Sequence, residues 1–270
     1  MTRVLYDLCG IDEGLRFSPY CWRVRYALAH KGLTVETRPW RFSDKAALAF
    51  ADHDKVPVLV DGDAVITDSY AILRYLDRAY PEAPLLGDAV AEGRARFIRH
   101  YAERALQPAM LRTIVMDLLN AIHPDDRDYF RETREKRLGR TLEEFHSPAK
   151  GLSQLDTALE PLRGLLKEAD FIDGDAPAAG DYLVFGSFMW ARCVSSADLV
   201  SNADPVYAWL ERMLDQHDGL GRSAGASPIS RVPIGDDHPA RPLAAPCRAR
   251  SRHRAAPSRG GPMPWGAQSW

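Results

Sequence analysis

The run Ser18-Pro19-Tyr20-Cys21 holds the residue types needed to stabilise a thiolate. Ser is a favoured helix N-cap and Pro is favoured at the first helical position, so the run opens a helix. A helix N-terminus presents unpaired N–H groups and a partial positive charge, and a thiolate is best stabilised there. The Ser18 hydroxyl is a poor nucleophile without a base but a good hydrogen-bond donor. An unperturbed thiol has a pKa of about 8.5, and lowering it by ~2 units needs ~2.7 kcal/mol. One hydrogen bond to a charged group supplies roughly 1.5–3 kcal/mol. On this reading the thiol belongs to a bound small molecule. Ser18 also suits a plain helix cap. Cys21 suits either a redox thiol or a small buried apolar residue.

Two later features fit the same chemistry. Val56-Pro57 precedes a strand pattern, and an extended peptide can add to such an edge as a short strand. A proline at a strand's first residue is also an ordinary occurrence. Asp68-Ser69 opens a further helix, where Ser69 and nearby N–H groups suit a carboxylate and Asp68 suits an ammonium group. The same dipeptide serves as a simple N-cap. The Arg23/Arg25 pair reads as a solvated or carboxylate-paired helix face. The histidines show no ligand spacing, and Cys9, Cys21, Cys193 and Cys247 suggest neither a disulfide framework nor a metal site.

The elements that position these residues alternate in type. Val4-Leu5-Tyr6-Asp7-Leu8 has strand propensity. The Ser18 helix carries Tyr20, Val24 and Leu28 on one stripe and ends before Gly32. Leu33 to Arg38 alternates like a strand, and Asp44 to Asp52 is Ala-rich and predicts a helix. Val56 to Ile66 is a hairpin turning at Asp61-Gly62, followed by a helix to about Tyr80. The order βαβ-α-ββα predicts a small α/β layer over residues 1–82. Pro81-Glu82-Ala83-Pro84 starts a linker, and residues 88–222 read as nearly all helix. The predicted helices run from Ala89 to Ile122 with a kink at Pro108, near Asp125 to Phe145, Ala149 to Glu168, Asp181 to Ser195 and Pro205 to His217. Residues 223–270 are rich in Arg and Pro, without Lys or Glu, and are expected to form a disordered tail.

Composition narrows the function class. The 270 residues carry a formal net charge of −2, against a nucleic-acid partner recognised by bulk charge. No apolar run approaches the roughly 20 residues needed to span a bilayer. The N-terminus reads as a strand rather than a secretion signal, and a cytoplasmic location is expected.

Taken together, the motifs resemble a known family. Ser18-Pro19-Tyr20-Cys21 is similar to the glutaredoxin Cys-Pro-Tyr-Cys with Ser for the first Cys. Residues 4–86 resemble the thioredoxin-like N-terminal domain of the glutathione transferase superfamily, and residues 88 to about 222 resemble its helical C-terminal domain. Ser18 to Leu28 is similar to the Ser-containing branches, most like the bacterial lignin β-etherase-like transferases, and Ala208 to Leu214 is also family-like. The resemblance implies that Ser18 activates glutathione, a co-substrate, for attack on an electrophilic carbon, by conjugation or by cleavage of an ether or halide. It implies a cis proline at Pro57, with Val56 pairing with the cysteinyl backbone and Asp68 and Ser69 holding the γ-glutamyl end. Tyr20, Arg41 and Lys55 are further glutathione-binding candidates, with Arg41 suited to the glycyl carboxylate. Trp40, Phe42, Tyr101 and Met110 are candidates for an apolar acceptor pocket, and each also suits core packing. A homodimer with a detoxifying role and no metal follows from the same likeness. A non-catalytic glutathione-binding protein and a thiol–disulfide reductase using Cys21 are the alternatives. The family opens its core helix with Ser/Thr-x-x-Asp. Here the run is Ala178-Ala179-Gly180-Asp181, and loss of such a cap costs about 0.5–2 kcal/mol.

Overall fold

Strand β1 (Arg3–Leu8) forms the middle of the N-terminal layer in the computed structural model, which describes residues 3–225. It pairs in parallel with β2 (Glu36–Trp40) and antiparallel with β3 (Val58–Asp61). Strand β4 (Ala64–Thr67) completes the order β2-β1-β3-β4. Leu5 lies opposite Leu59, and both are fully buried. The β3–β4 turn places Gly62 at φ 61°, a left-handed conformation that glycine adopts without a Cβ clash. Helices α1 (Pro19–His30) and α2 (Ser69–Ala79) pack against each other over this sheet. The predicted order of elements is therefore present.

Two N-terminal elements differ locally from expectation. Strand β2 begins at Glu36 rather than Leu33, because pairing with β1 starts where Val4 meets Glu36. It also contains Pro39, which its edge position tolerates because a missing N–H on the outer side breaks no ladder bond. The Ala-rich segment forms a 3-10 helix, Lys45–Ala51, in which only Leu48 is buried. Most helical stability comes from a packed face, and this segment has little of one.

The C-terminal domain contains α3 (Ala89–Tyr101), α4 (Gln107–Ala121), α5 (Arg127–Leu138), α6 (Leu142–Phe145), α7 (Pro148–Leu166), α8 (Ala179–Val194) and α9 (Pro205–Gly219). The expected kink at Pro108 takes the form of a π-helical turn, Ala102–Leu106, between α3 and α4. Pro108 has no N–H to continue the α-helical ladder. The Gln107 N–H reaches back five residues to the Ala102 carbonyl, and the chain continues without a break. The predicted helix near Asp125 to Phe145 is instead split at Gly139, which sits at φ 67°. Thr141 and Glu144 then cap α6 reciprocally, at 3.2 and 3.1 Å.

The missing hydroxyl before α8 is replaced from outside the motif. The Asp173 carboxylate accepts the Gly180 N–H at 2.6 Å, so an amide of the first turn keeps a partner. Asp181 accepts the Ala178 N–H as half of the usual box, and also the N–H groups of Ile172, Asp173 and the Trp209 indole. The expected loss of a cap is thus offset by a second carboxylate.

Helix α8 runs through the core of the C-terminal domain and meets α1 of the N-terminal layer. A Cβ on Gly186 would lie 2.3 Å from the Pro19 carbonyl oxygen, so only glycine permits this helix approach. At the far end of α1, the Tyr182 hydroxyl lies 2.8 Å from His30 Nδ1 and 3.2 Å from His217 Nε2. The linker is pinned by Asp77, which accepts the N–H groups of Leu85 and Leu86 and pairs with Lys31 at 2.7 Å. No helix of the described residues is long and apolar enough to cross a membrane. The stretch expected to be a disordered tail lies outside the described residues from 226 onward.

Candidate active site

Ser18 caps α1 with extended backbone angles, φ −62° and ψ 126°, and its Oγ accepts the Cys21 N–H at 3.3 Å. Pro19 has no N–H, and the Trp22 N–H goes to the Ser18 carbonyl at 3.1 Å. Among the first-turn amides this leaves the Tyr20 N–H open to a ligand. Ser18 is 3% exposed, its side chain also contacts the Cys21 thiol, and its hydroxyl can donate as well as accept.

Cys21 sits one turn in and is fully buried. Burial and the nearby Asp7 carboxylate push its thiol well above the ordinary range. The Tyr20 hydroxyl donates to Gln107 Oε1 at 3.2 Å, and Gln107 Nε2 donates to Ser187 Oγ at 3.1 Å. That side chain therefore joins the two domains, and burial raises its phenol pKa. What Tyr20 offers at the helix start is its backbone.

The chain enters β3 through a cis Val56–Pro57 bond. Val56 is buried, and no other backbone group of the described residues takes up its N–H or carbonyl. Lys55, just before it, is half-buried. Asp68 caps α2 with Oδ1, which accepts the Tyr70 and Ala71 N–H groups at 2.9 Å each. Its backbone lies at φ 71° and ψ 128°, a sparsely populated region whose cost is of order 1–3 kcal/mol. Its second carboxylate oxygen takes no part in the cap. Ser69 is the first residue of α2 and 3% exposed. Arg41 lies half-buried after β2 and touches the Cys9 thiol, which burial pushes up.

The proposed acceptor residues divide. Trp40 and Phe42 are in ring contact, with centroids 6.1 Å apart, and Phe42 also meets Tyr129 and Phe130 of α5 at 5.8 and 6.2 Å. They form an aromatic wall shared by the two domains. Tyr101 donates its hydroxyl to the Ala158 carbonyl on α7, and Met110 is fully buried in α4. Met110 lies in the same hydrophobic cluster as Trp40 and Phe42, and Tyr101 packs against it.

The Arg23 and Arg25 pair separates as well. Arg25 reaches the buried Asp7 at 3.7 Å and stacks 4.3 Å over Trp22. Arg23 is fully buried, pairs with Glu103 in the π turn at 2.7 Å and donates to the Leu183 carbonyl. It is carboxylate-paired, as one of the two sequence readings had it, but not solvated. The sequence signal for its burial was its place three residues after Tyr20 on the apolar stripe. Nothing local marked Gln107 as its neighbour's partner.

Comparison with known proteins identifies relatives of both domains. The glutathione S-transferase N-terminal domain model matches residues 14–84, and the C-terminal domain model matches residues 95–214. Glutathione S-transferase Z1 of Arabidopsis thaliana is 51% identical over 70 residues, 24% of this chain and 31% of that protein. The probable glutathione S-transferase GSTU6 of Oryza sativa subsp. japonica is 26% identical over 217 residues, 74% of this chain and 81% of that protein. The chain spans about a third of the length of the Arabidopsis relatives it matches. Among solved structures, glutathione transferase GSTFuA2 of Phanerochaete chrysosporium aligns with a TM-score of 0.66 and 25% identity over 81% of this chain and 93% of its own. CsGST63524 of Ceriporiopsis subvermispora, solved in complex with glutathione, shares the fold at a TM-score of 0.63 and 23% identity over 82% of this chain and 94% of its own. With both domain models matched in order and the same two-domain fold in these transferases, this chain belongs to the glutathione S-transferase superfamily.

Proposed function

We propose that this protein binds glutathione at the start of α1 and activates its thiol for attack on an electrophilic carbon. The observation that carries the reading is Ser18: a nearly buried hydroxyl at a helix N-terminus, capped onto Cys21 through its oxygen, with a proton that a bound thiolate can accept. Donation to a thiolate and the open Tyr20 N–H act on the same atom. The Val56 backbone suits the cysteinyl unit, while Ser69, Asp68 and Arg41 suit the charged ends. Trp40 and Phe42 supply an apolar wall for the acceptor.

The superfamily's Ser-containing branch fits this geometry, and the lignin β-etherase-like affinity rests on the Ser18 to Leu28 stretch. A homodimer is supported by exposed apolar side chains, Val90 at 81% and Phe97 at 73% on α3 and Phe50 at 52%. The reductase alternative is opposed by the buried, high-pKa Cys21 thiol. Conjugation and binding-only readings are separated by turnover of a chromogenic electrophile.

Calorimetry tests the site. Asp68→Asn keeps an N-cap oxygen and Ser69→Ala keeps the helix. Each is expected to weaken glutathione binding by the roughly 1.5–3 kcal/mol of one charge-assisted hydrogen bond. Equal affinity in both variants removes the pair from the site.

A further inference from the structure

Where α9 ends, the chain turns back past α1 to the loop that delivers Ser18. Gln216, His217 and Asp218 leave helical geometry, with His217 at φ 54° and Asp218 at φ 57°, left-handed conformations that residues other than glycine adopt sparingly. Gly221 then passes against Tyr26 of α1, where an added Cβ would lie 2.5 Å from the hydroxyl oxygen. Gly225 reaches Gly14, where an added Cβ would lie 2.9 Å from the carbonyl oxygen. Residues 10–17 lead directly into Ser18. They rest on the end of α4, where the Ile11 N–H meets the Ala121 carbonyl at 2.8 Å, and on this returning segment.

The segment is tied down at its start by a chain of three rings. Tyr182 of α8 is fully buried, and its hydroxyl lies 2.8 Å from His30 Nδ1 and 3.2 Å from His217 Nε2. A hydroxyl has one proton, so it donates to one of these nitrogens and accepts from the other. That pattern holds with both imidazoles neutral and with one protonated. With both protonated, each nitrogen is a donor and the hydroxyl proton faces no acceptor, which is costly in a buried site. The ring centres of His30 and His217 are 6.4 Å apart, so two cations there repel.

Burial disfavours the charged form of both rings, and Lys31 adds to this at His30, as His30 does at His217. Asp77 of α2 acts in the other direction on His30, but it pairs with Lys31 at 2.7 Å. Asp218 favours a charged His217 and is exposed to solvent. Asp181 and Asp173 act on Tyr182, and they are engaged with the Ile172 N–H and with Arg94. Arg222 pairs with Glu211 and Asp215 of α9, at 2.9 and 2.5 Å.

We propose that residues 216–225 are a strap that a second proton on the His30–Tyr182–His217 cluster releases, loosening residues 10–17 and lowering the affinity for glutathione. The strap side gives way because His30 is held inside α1, whereas His217 sits in the non-helical break. The held state binds fewer protons than the released one, so the strap stays closed above about pH 6.5 and opens as pH falls below it. The effect on glutathione rests on the proposed function; the release itself does not.

S-methylglutathione is the probe, because its sulfur does not titrate, and calorimetry on the full chain reads its affinity from pH ~7.5 to ~5. The expected fall is about tenfold, the effect of a one-unit difference in histidine pKa between the held and released strap. His217→Gln and His30→Gln keep a polar group for Tyr182 but take up no proton. Each should bind like the native protein at pH ~7.5 and stay level as pH falls. Hydrogen exchange, corrected for its intrinsic pH dependence, should show residues 10–17 and 213–225 losing protection together while α7 keeps it. A level affinity in the native protein overturns the proposal. So does a fall that persists in both variants, or a loss of protection that includes α7, which marks general unfolding. If the probe binds at no pH, the glutathione reading fails and exchange alone decides. Joint loss in the two stretches, absent in His217→Gln, then supports the strap, and unchanged protection overturns it.

Discussion

Replacing Ser18 with Ala removes one oxygen that has two tasks. As an N-cap it accepts the Cys21 N–H at 3.3 Å, beyond the usual N–H···O range. The loss of stability should therefore fall near the lower end of the ~0.5–2 kcal/mol cap value. As a donor to a glutathione thiolate it supplies roughly 1.5–3 kcal/mol, or about 1–2 pKa units. The helix N-terminus and the Tyr20 N–H remain and contribute about 0.3–1 kcal/mol. A bound thiol with a pKa of ~6.5 would move to ~7.5–8.5. Turnover at pH ~6.5 should then fall by about tenfold, and the gap should close above pH ~9, where both thiols are ionised. The assay is glutathione-dependent turnover against pH with a chromogenic electrophile, alongside the ultraviolet thiolate band of bound glutathione. Ser18→Thr, which keeps a hydroxyl, should retain the low thiol pKa. Thermal melting separates the small cap effect from the site effect. An unchanged bound-thiol pKa in Ser18→Ala refutes the reasoning and transfers activation to the backbone amides.

Other perturbations probe the framework. Cys21, buried with a raised thiol pKa, should resist alkylation at pH ~8 until the protein unfolds, and Cys21→Ser should change conjugation little. Rapid native labelling of Cys21 would revive the reductase reading. Gly186→Ala places a Cβ 2.3 Å from the Pro19 carbonyl and should cost about 1–3 kcal/mol, read as a lower melting temperature; an unaltered melt would contradict the close helix approach. His30 and His217 both have pKa values lowered by burial. Below pH ~6.5 the unfolded chain therefore binds more protons than the folded one, and stability is lost as pH falls. His217→Gln should flatten that dependence in urea midpoints measured from pH ~8 to ~5, and identical slopes would exclude His217 from it.

The parts of this protein legible in its sequence are those governed by near neighbours along the chain. Ser18-Pro19 and Asp68-Ser69 mark helix starts, because capping joins a side chain to an amide two or three residues on. Gly62 marks its turn, because a positive φ belongs to a single residue. The strand and helix periods gave the order of elements, and that order with Ser18, Val56-Pro57 and Asp68-Ser69 pointed to glutathione. Tertiary structure alone decided the rest. Cys21, without a partner cysteine, already reads as a small buried residue rather than a redox thiol, but only packing shows that it lies beside Asp7. Arg23 meets Glu103 across 80 residues, and Tyr20 meets Gln107 across 87. Asp173 takes over a cap that the motif before α8 lacks. Phe42 and Arg134 become neighbours only when α5 folds over the end of β2. Contacts within a turn are set by chain geometry, whereas these depend on how separate elements pack, within each domain or across the two, and desolvation where they pack gives the charges and thiols their character.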